Sequence, residues 1–110
     1  MEDCLFCKIA NSDPSELVWQ NEYVSAFKDI HPKASVHVLI VPRSHVANLD
    51  DLTDKTLASE LFSSIAEIAK LLGVSGAYRI QVNNGQSAGQ VIQHLHVHLL
   101  GGAKLPKSLV

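Results

Sequence analysis

Three histidines near the end of the sequence, His94, His96 and His98, alternate with aliphatic residues. Next-but-one residues of an extended strand lie on the same face, so this spacing places the three imidazoles on one face of a strand. A neutral imidazole is a nucleophile at pH 7 without an activating base, and a neighbouring ring can donate to a phosphoryl oxygen. The row therefore indicates phosphorus chemistry; the alternative is a half-exposed strand whose histidines are incidental.

The three rings are too widely spaced to act as one metal site. On a strand the first and third residues start about 13 Å apart, since next-but-one residues are about 6.6 Å apart. A single zinc ion with Zn–N bonds of about 2.0 to 2.1 Å does not reach all three from an unbent strand. We therefore expect the row to divide its tasks.

A pair of cysteines, Cys4 and Cys7, has the spacing Cys-x-x-Cys. Such a pair is a redox dithiol, half of a zinc site, or two buried small apolar side chains. The redox motif ordinarily follows a strand, and only three residues precede Cys4. A zinc ion would need histidine ligands as well, because the chain has no third cysteine.

The elements that must position these residues follow from hydrophobic periodicity. A β-branched run, residues 36–41, ends at Pro42 and predicts a central strand covered on both faces. Residues 17–20 and 23–27 predict a hairpin across Asn21-Glu22. Apolar residues from Leu57 to Leu72 recur at helical spacing, which predicts a helix over about residues 53–72 that Gly73 ends.

Two further strands are predicted at residues 77–82 and 93–100, joined by a polar loop, residues 83–90, with two glycines. Short connections and one long helix favour an α+β fold with an antiparallel sheet. The aliphatic residues of the histidine strand then lie on the face opposite the imidazoles. On sequence alone the polar loop is only a turn, but its place before that strand makes it a candidate for binding an anion through backbone N–H groups.

The chain has 110 residues, a formal net charge of -2 and 46% hydrophobic residues. This predicts a single domain, residues 1–110, with one core. The near-neutral charge excludes a dedicated nucleic-acid groove and leaves room for one small anionic ligand. No apolar stretch approaches the ~20 residues of a membrane span, and the acidic start differs from a signal peptide, so we expect a cytoplasmic protein without membrane or nucleic-acid partners.

The segment from His94 to Leu100 resembles the histidine triad (HIT) signature, and Gly101-Gly102 is similar to its Hint-like branch. Residues 4–9, 27–32, 36–45 and 83–90 also resemble Hint-type segments in the family's order, and the Cys-x-x-Cys start is similar to the prokaryotic type. The resemblance implies a five-stranded antiparallel sheet with one long helix and a short N-terminal helix. It also implies a homodimer in which two such sheets join.

The activity that the resemblance implies is hydrolysis of a purine nucleoside phosphoramidate, or nucleotidyl transfer, at the α-phosphate through a covalent nucleotidyl-histidine. His96 matches the nucleophile, which a main-chain carbonyl of its own strand orients, and His98 matches the residue that contacts the phosphoryl oxygens. His37 matches a further histidine near the triad; its alternative is a satisfied core histidine. The alternative functions are dinucleoside polyphosphate hydrolysis and nucleotide binding with negligible turnover.

The resemblance also implies the substrate-binding residues. Asn83 and Gln90 match residues that position the phosphate and leaving group, and Asp29 matches the acceptor from the ribose hydroxyls. Apolar positions around the base are matched by Phe27, Ile30 and Leu39, which could equally pack the core. The implied ligand is a purine nucleotide such as AMP or an adenylated amine, with loose base selectivity.

Similar proteins pair the Cys-x-x-Cys with two histidines, which here are His45 and His94, around a structural zinc ion. No catalytic cofactor is implied. The sequence departs from the Hint pattern at Val91, where many members have a serine, and it lacks their Trp-Pro-Pro tail. His31, next to Pro32, is expected to be a surface residue.

Overall fold

The computed structural model describes residues 3–109 and contains one antiparallel sheet between two helices. The helices are α1 (Leu5–Ala10) and α2 (Lys55–Leu71); the strands are β1 (Trp19–Gln20), β2 (Val24–Lys28), β3 (Val36–Pro42), β4 (Tyr78–Gln81) and β5 (Val97–Gly101). Strand order is β1-β2-β3-β5-β4, so β3 is central. The predicted α+β class and the central strand are confirmed. Neither helix within residues 3–109 is long and apolar enough to cross a bilayer.

Helix α2 begins and ends where its sequence predicts. The side chain of Asp54 caps its first turn by accepting from the Leu57 N–H at 3.1 Å. At the other end Gly73 has φ +74°, a left-handed conformation that glycine adopts without strain. The helix lays its apolar stripe on one face of the sheet.

The two faces of the sheet carry different hydrophobic clusters. The α2 face holds the larger one, in which Leu61 and Ile68 of the helix pack against Leu95, Val97 and Leu99. The opposite face holds a smaller cluster of buried residues from α1, β2 and β3: Phe6, Ala10, Phe27, Leu39 and Val41. The aliphatic residues between the histidines are therefore buried on the α2 side, and His96 and His98 face the α1 side.

The first hairpin forms as predicted, with its turn shifted by one residue. Asn21 still pairs with Val24, since its N–H donates to the Val24 carbonyl at 2.9 Å. Its side-chain oxygen accepts from the N–H groups of Tyr23 and Val24, both at 2.8 Å. An asparagine that bonds ahead to the backbone closes the turn without glycine.

The predicted strand over residues 93–100 is wrong at its beginning, because β5 starts at Val97. Ile40 pairs with Val97, so a continued ladder would place Pro42 opposite Leu95. Proline has no N–H to donate to that ladder. The Leu95 N–H instead donates to the Val46 carbonyl at 2.7 Å, and the chain bends over residues 92–94.

We predict that Leu61→Ala lowers the free energy of unfolding by about 2 to 5 kcal/mol, because Leu61 is fully buried between α2 and the sheet. The matched control is Leu71→Ala on the same helix, where the side chain is 60% exposed and the loss should stay below about 1 kcal/mol. Urea denaturation followed by circular dichroism measures both. Equal losses would contradict the assignment of this core.

Candidate functional site

A cleft of about 410 Å³ opens on the α1 face of the sheet. Its floor is apolar, with Phe27 and Leu39 both buried below it, so these two residues serve the core and the cleft together. Seven of the residues predicted to bind or transform a substrate line it: Phe27, Asp29, Ile30, Leu39, Asn83, His96 and His98. Ile30 is 86% exposed and forms the outer rim.

His96 is held by the main chain at the inner wall of this cleft. Its Nδ1 lies 2.8 Å from the His94 carbonyl oxygen, which can only accept, so Nδ1 carries the ring proton. Nε2 is then the unprotonated nitrogen, as a nucleophile requires. The ring of Phe6 packs against it edge to face with the centroids 5.1 Å apart. The hydrogen bond to the His94 carbonyl therefore fixes the tautomer of a buried ring that borders the cleft.

A second chain of hydrogen bonds fixes the proton of His98. The Lys33 N–H donates to Nδ1 of His37 at 3.0 Å, so the His37 proton is on Nε2. His37 Nε2 lies 2.9 Å from His98 Nδ1 and donates to it. His98 therefore carries its proton on Nε2, which leaves this N–H to donate to a ligand oxygen. His37 lies behind His98, outside the lining of the cleft.

Burial keeps this second chain neutral. Desolvation, followed by the neighbouring rings of His96 and His37, lowers the pKa of His98 to about 4. Desolvation also lowers the pKa of His37, although the Asp29 carboxylate 3.4 Å from its Nε2 acts in the opposite direction. Both rings are therefore neutral at pH 7, in agreement with the donor and acceptor roles that the backbone assigns.

Asp29 and Asn83 lie where a sugar and a phosphate could meet them. One oxygen of Asp29 accepts from the His31 N–H at 2.8 Å, and the other faces His37. Asn83 borders the glycine loop, with its side chain 3.8 Å from the position of a Cβ on Gly89. A carboxylate half-exposed at the rim of a cleft can accept from the two hydroxyls of a ribose.

Gln90 lies inside the loop that precedes His94 and is absent from the lining of the cleft. Its side chain accepts from the Gly85 N–H at 2.8 Å and donates to the carbonyl oxygens of Ala47 and Ile92. The loop N–H groups of Ala88, Gly89 and Gln90 also bond within the loop. The amide of Gln90 thus holds the loop together, and it would have to leave these partners to contact a substrate.

The predicted metal ligands form a cluster beside the cleft. Ligand atoms of Cys4, Cys7, His45 and His94 all lie within 4.8 Å of one another. His94 Nδ1 is 3.3 Å from both sulfur atoms, and His45 Nδ1 is 3.3 Å from Cys7 Sγ. These four residues could therefore hold one metal ion. They come from three separate parts of the chain, and Cys4 also caps α1 by accepting from the Cys7 N–H.

The donor set fits a tetrahedral ion. Bonds of about 2.3 Å to sulfur and 2.0 to 2.1 Å to nitrogen give S–N separations of about 3.5 Å in a tetrahedron, close to those observed. The ring proton of His94 is on Nε2, which donates to the Pro42 carbonyl at 2.9 Å and leaves the Nδ1 lone pair directed at the cluster. Around one metal ion, two sulfur and two imidazole donors would leave no free position, which is the arrangement of a closed site.

Several residues that line the cleft were not among the predicted catalytic or substrate-binding residues. Helix α1 supplies Leu5, Phe6 and Ile9 as one wall, and His31, expected only on the surface, is exposed but borders the opening. Phe6 also contacts Phe27 with ring centroids 5.4 Å apart. The sequence feature that could have predicted the role of Phe6 is its position between the two cysteines. A cluster that holds Cys4 and Cys7 in place also holds the helical turn between them, and Phe6 is part of that turn.

Comparisons with known proteins agree with this geometry. The HIT domain family matches residues 10–105. A HIT-like protein of Synechococcus elongatus is 37% identical over 107 residues, which cover 94% of each chain. A histidine triad protein of Clostridium difficile superposes with a TM-score of 0.88 at 41% identity, over 98% of this chain and 97% of that one. A HIT family hydrolase of Legionella pneumophila has a TM-score of 0.85 and 36% identity, over 94% and 96%.

We predict that acid destabilises the protein partly through His98. Its pKa is about 4 when folded and about 6.5 when unfolded, so the unfolded chain binds the extra proton between these values. The free energy of unfolding should therefore fall as the pH is lowered from about 6.5 toward 4, and the loss should be smaller in His98→Gln. Urea titrations at pH 7 and pH 5 measure the slope; equal slopes in both proteins would contradict it.

Proposed function

The chain belongs to the HIT domain family, and on this premise we propose that it hydrolyses purine nucleoside phosphoramidates through a covalent intermediate on His96. The observation that carries the proposal is the hydrogen bond from His96 Nδ1 to the His94 carbonyl, which leaves Nε2 unprotonated beside an apolar cleft. The similarity to a HIT family hydrolase supports the class of reaction. We propose that residues 1–110 act as a single HIT domain.

The reaction proceeds in two displacements at the α-phosphorus. The lone pair of His96 Nε2 attacks phosphorus while the phosphorus–nitrogen bond to the amine breaks, and the departing nitrogen takes a proton from water. The His96 ring now carries the nucleotide on Nε2 and its proton on Nδ1, where the His94 carbonyl stabilises the positive charge. Water then attacks phosphorus, loses a proton to solvent and releases the monophosphate and the neutral ring.

Each remaining group has a task in binding or stabilisation. The Nε2–H of His98 donates to a phosphoryl oxygen, and it gains strength as negative charge builds there. Asp29 accepts from the ribose hydroxyls, and Asn83 positions the phosphate. Phe27, Leu39 and Ile30 surround the base, which we propose to be a purine such as the adenine of AMP or of an adenylated amine. An apolar slot discriminates weakly between adenine and guanine.

We also propose that Cys4, Cys7, His45 and His94 hold a structural Zn²⁺ ion. Two sulfur and two imidazole donors suit zinc, which prefers four such ligands in a closed tetrahedron. When bound, the ion supplies a crosslink between the chain start and the residues before β5. The protein's own part is to present the Nδ1 lone pair of His94, whose proton the Pro42 carbonyl holds on Nε2.

A second copy of this chain is the proposed macromolecular partner. Helix α2 buries Leu61 in the core and leaves the adjacent Phe62 52% exposed. A large aromatic residue in water at the middle of a helix is the kind of group that a subunit interface covers. The proposed homodimer joins two sheets through this region.

The nucleophile is tested by AMP release from adenosine phosphoramidate, lysyl adenylate and a dinucleoside triphosphate, with wild type beside His96→Asn. We expect fastest release from adenosine phosphoramidate and a loss of about 10³-fold or more in the variant, because the attacking nitrogen is gone. AMP affinity should change little, since the cleft is kept. Fastest release from the dinucleoside triphosphate would indicate a polyphosphate hydrolase; no turnover with AMP still bound would indicate a nucleotide-binding module.

The metal is tested by replacing it with Co²⁺, whose absorption reports its ligands. Purified protein should hold about one equivalent, with tetrahedral d–d bands and a thiolate-to-cobalt band, because two sulfur donors are present. The chain has only two cysteines, so the thiolate band belongs to this site. Cys4→Ser and Cys7→Ser should each weaken binding and the band. Cobalt binding without a thiolate band would refute the site.

A further inference from the structure

A second cavity, of about 460 Å³, adjoins the cleft at His98. Its walls come from β4, from β5, from the loop after β2 and from the final segment of the chain, residues 106–109. Four residues line both spaces: Asp29, His31, Asn83 and His98. The two spaces therefore meet where the scissile phosphate would bind, and nothing in the proposed reaction uses the second one.

This second cavity, which we call the cationic chamber, has an excess of positive charge. Lys33, Arg79 and Lys107 line it, and Asp29 is its one acidic residue among those that the structure describes. Asp29 is already engaged with the His31 N–H and with His37. No carboxylate of residues 3–109 lies within 4.0 Å of the three cationic groups. Within residues 3–109, three cationic side chains therefore line one concave space, and none of them is paired with a carboxylate.

The position of the chamber relates it to one part of the substrate. The base and sugar are assigned to the apolar cleft, and the phosphorus lies between His96 Nε2 and the His98 N–H. His98 and Asn83 line both the cleft and the chamber, so the chamber is open to a group attached to phosphorus and directed away from the nucleoside. That group is the leaving group. Positive charge at a concave surface favours anionic ligands over neutral ones of equal size.

We propose that the cationic chamber binds the leaving group and selects one that carries a negative charge within a few atoms of the scissile bond. This proposal rests on the hydrolytic function assigned to His96. The shared chemistry is a carboxylate or phosphate recognised by Lys33, Arg79 and Lys107. Its two sources are an amine with a carboxylate, linked through nitrogen, and a further phosphate, linked through oxygen.

The first experiment compares AMP phosphoramidates of β-alanine and of β-alanine amide, which differ in one charge. The kcat/KM of the β-alanine substrate is divided by that of the β-alanine amide substrate, both for wild type and for the double variant Arg79→Gln/Lys107→Gln. Dividing the wild-type ratio by the ratio of the double variant cancels the intrinsic difference between the two amines. We expect this quotient to be about five or more, since two cations near an anion are removed. Lys104→Gln is the matched control: it removes a charge from the same terminal segment outside the chamber lining and should leave the ratio unchanged.

The second experiment measures the affinities of AMP and ADP by calorimetry, which requires no turnover. ADP extends one phosphate beyond the α-phosphate, so its affinity relative to AMP should fall about fivefold in the double variant and stay constant in Lys104→Gln. AMP affinity itself reports that the cleft remains folded. A change in the kcat/KM ratio of the two β-alanine substrates indicates that the chamber binds nitrogen-linked carboxylates. A change in the affinity of ADP relative to AMP indicates that it binds oxygen-linked phosphates.

The outcomes separate this proposal from the function on which it rests. If no phosphoramidate is turned over but the ADP to AMP ratio falls in the double variant, the hydrolase function fails and the chamber stands as an anion site. If phosphoramidates are turned over and neither ratio differs between wild type and the double variant, the hydrolase function stands. In that case the selection of an anionic leaving group is refuted.

Discussion

The position of one proton on each imidazole ring is the constraint on which this site depends. A neutral histidine has one N–H and one lone pair, and either ring nitrogen can carry either. Here the main chain makes the choice. The Pro42 carbonyl accepts a hydrogen bond from the ring N–H of His94, and the His94 carbonyl accepts one from the ring N–H of His96. The N–H of Lys33 fixes the other pair of rings. The tautomers of the proposed metal ligand, nucleophile and phosphate donor are thus fixed by backbone groups, and no side-chain acid is required.

Pro42 produces the backbone that does this. As the last residue of β3 it pairs with Val24 on one side, yet it has no N–H for the ladder toward β5. The chain opposite it bends, which turns the His94 ring toward the cysteines and leaves its carbonyl for His96. A regular strand would have put all three imidazoles in one row. Because Pro42 ends the ladder between β3 and β5, the His94 ring lies beside the cysteines, whereas the rings of His96 and His98 line the cleft.

The sequence was informative where one residue type decides the local structure. Gly73 marks the end of α2, and the grouping of His45 with the cysteines follows from the family resemblance and agrees with the observed cluster. The bend before β5 could not be predicted from the alternation of histidines and aliphatic residues. This alternation begins at His94, although pairing with β3 begins only at Val97. The burial of the Gln90 amide and the placement of Arg79 and Lys107 on one cavity were not predictable either, since each depends on long-range contacts that no short pattern encodes.

The cysteine–histidine cluster is linked to the cleft in two ways, through His94 and through Phe6. The cluster therefore affects the geometry of the cleft directly. His94 belongs to the cluster through its ring and to the nucleophile through its carbonyl. Phe6, fixed between Cys4 and Cys7 on α1, lies against the His96 ring at 5.1 Å and forms part of the cleft wall. Six residues are too few for a helix to be stable without such contacts. An interaction that keeps the two sulfur atoms beside the two imidazoles therefore also stabilises the wall of the cleft. It also keeps the His96 ring in position.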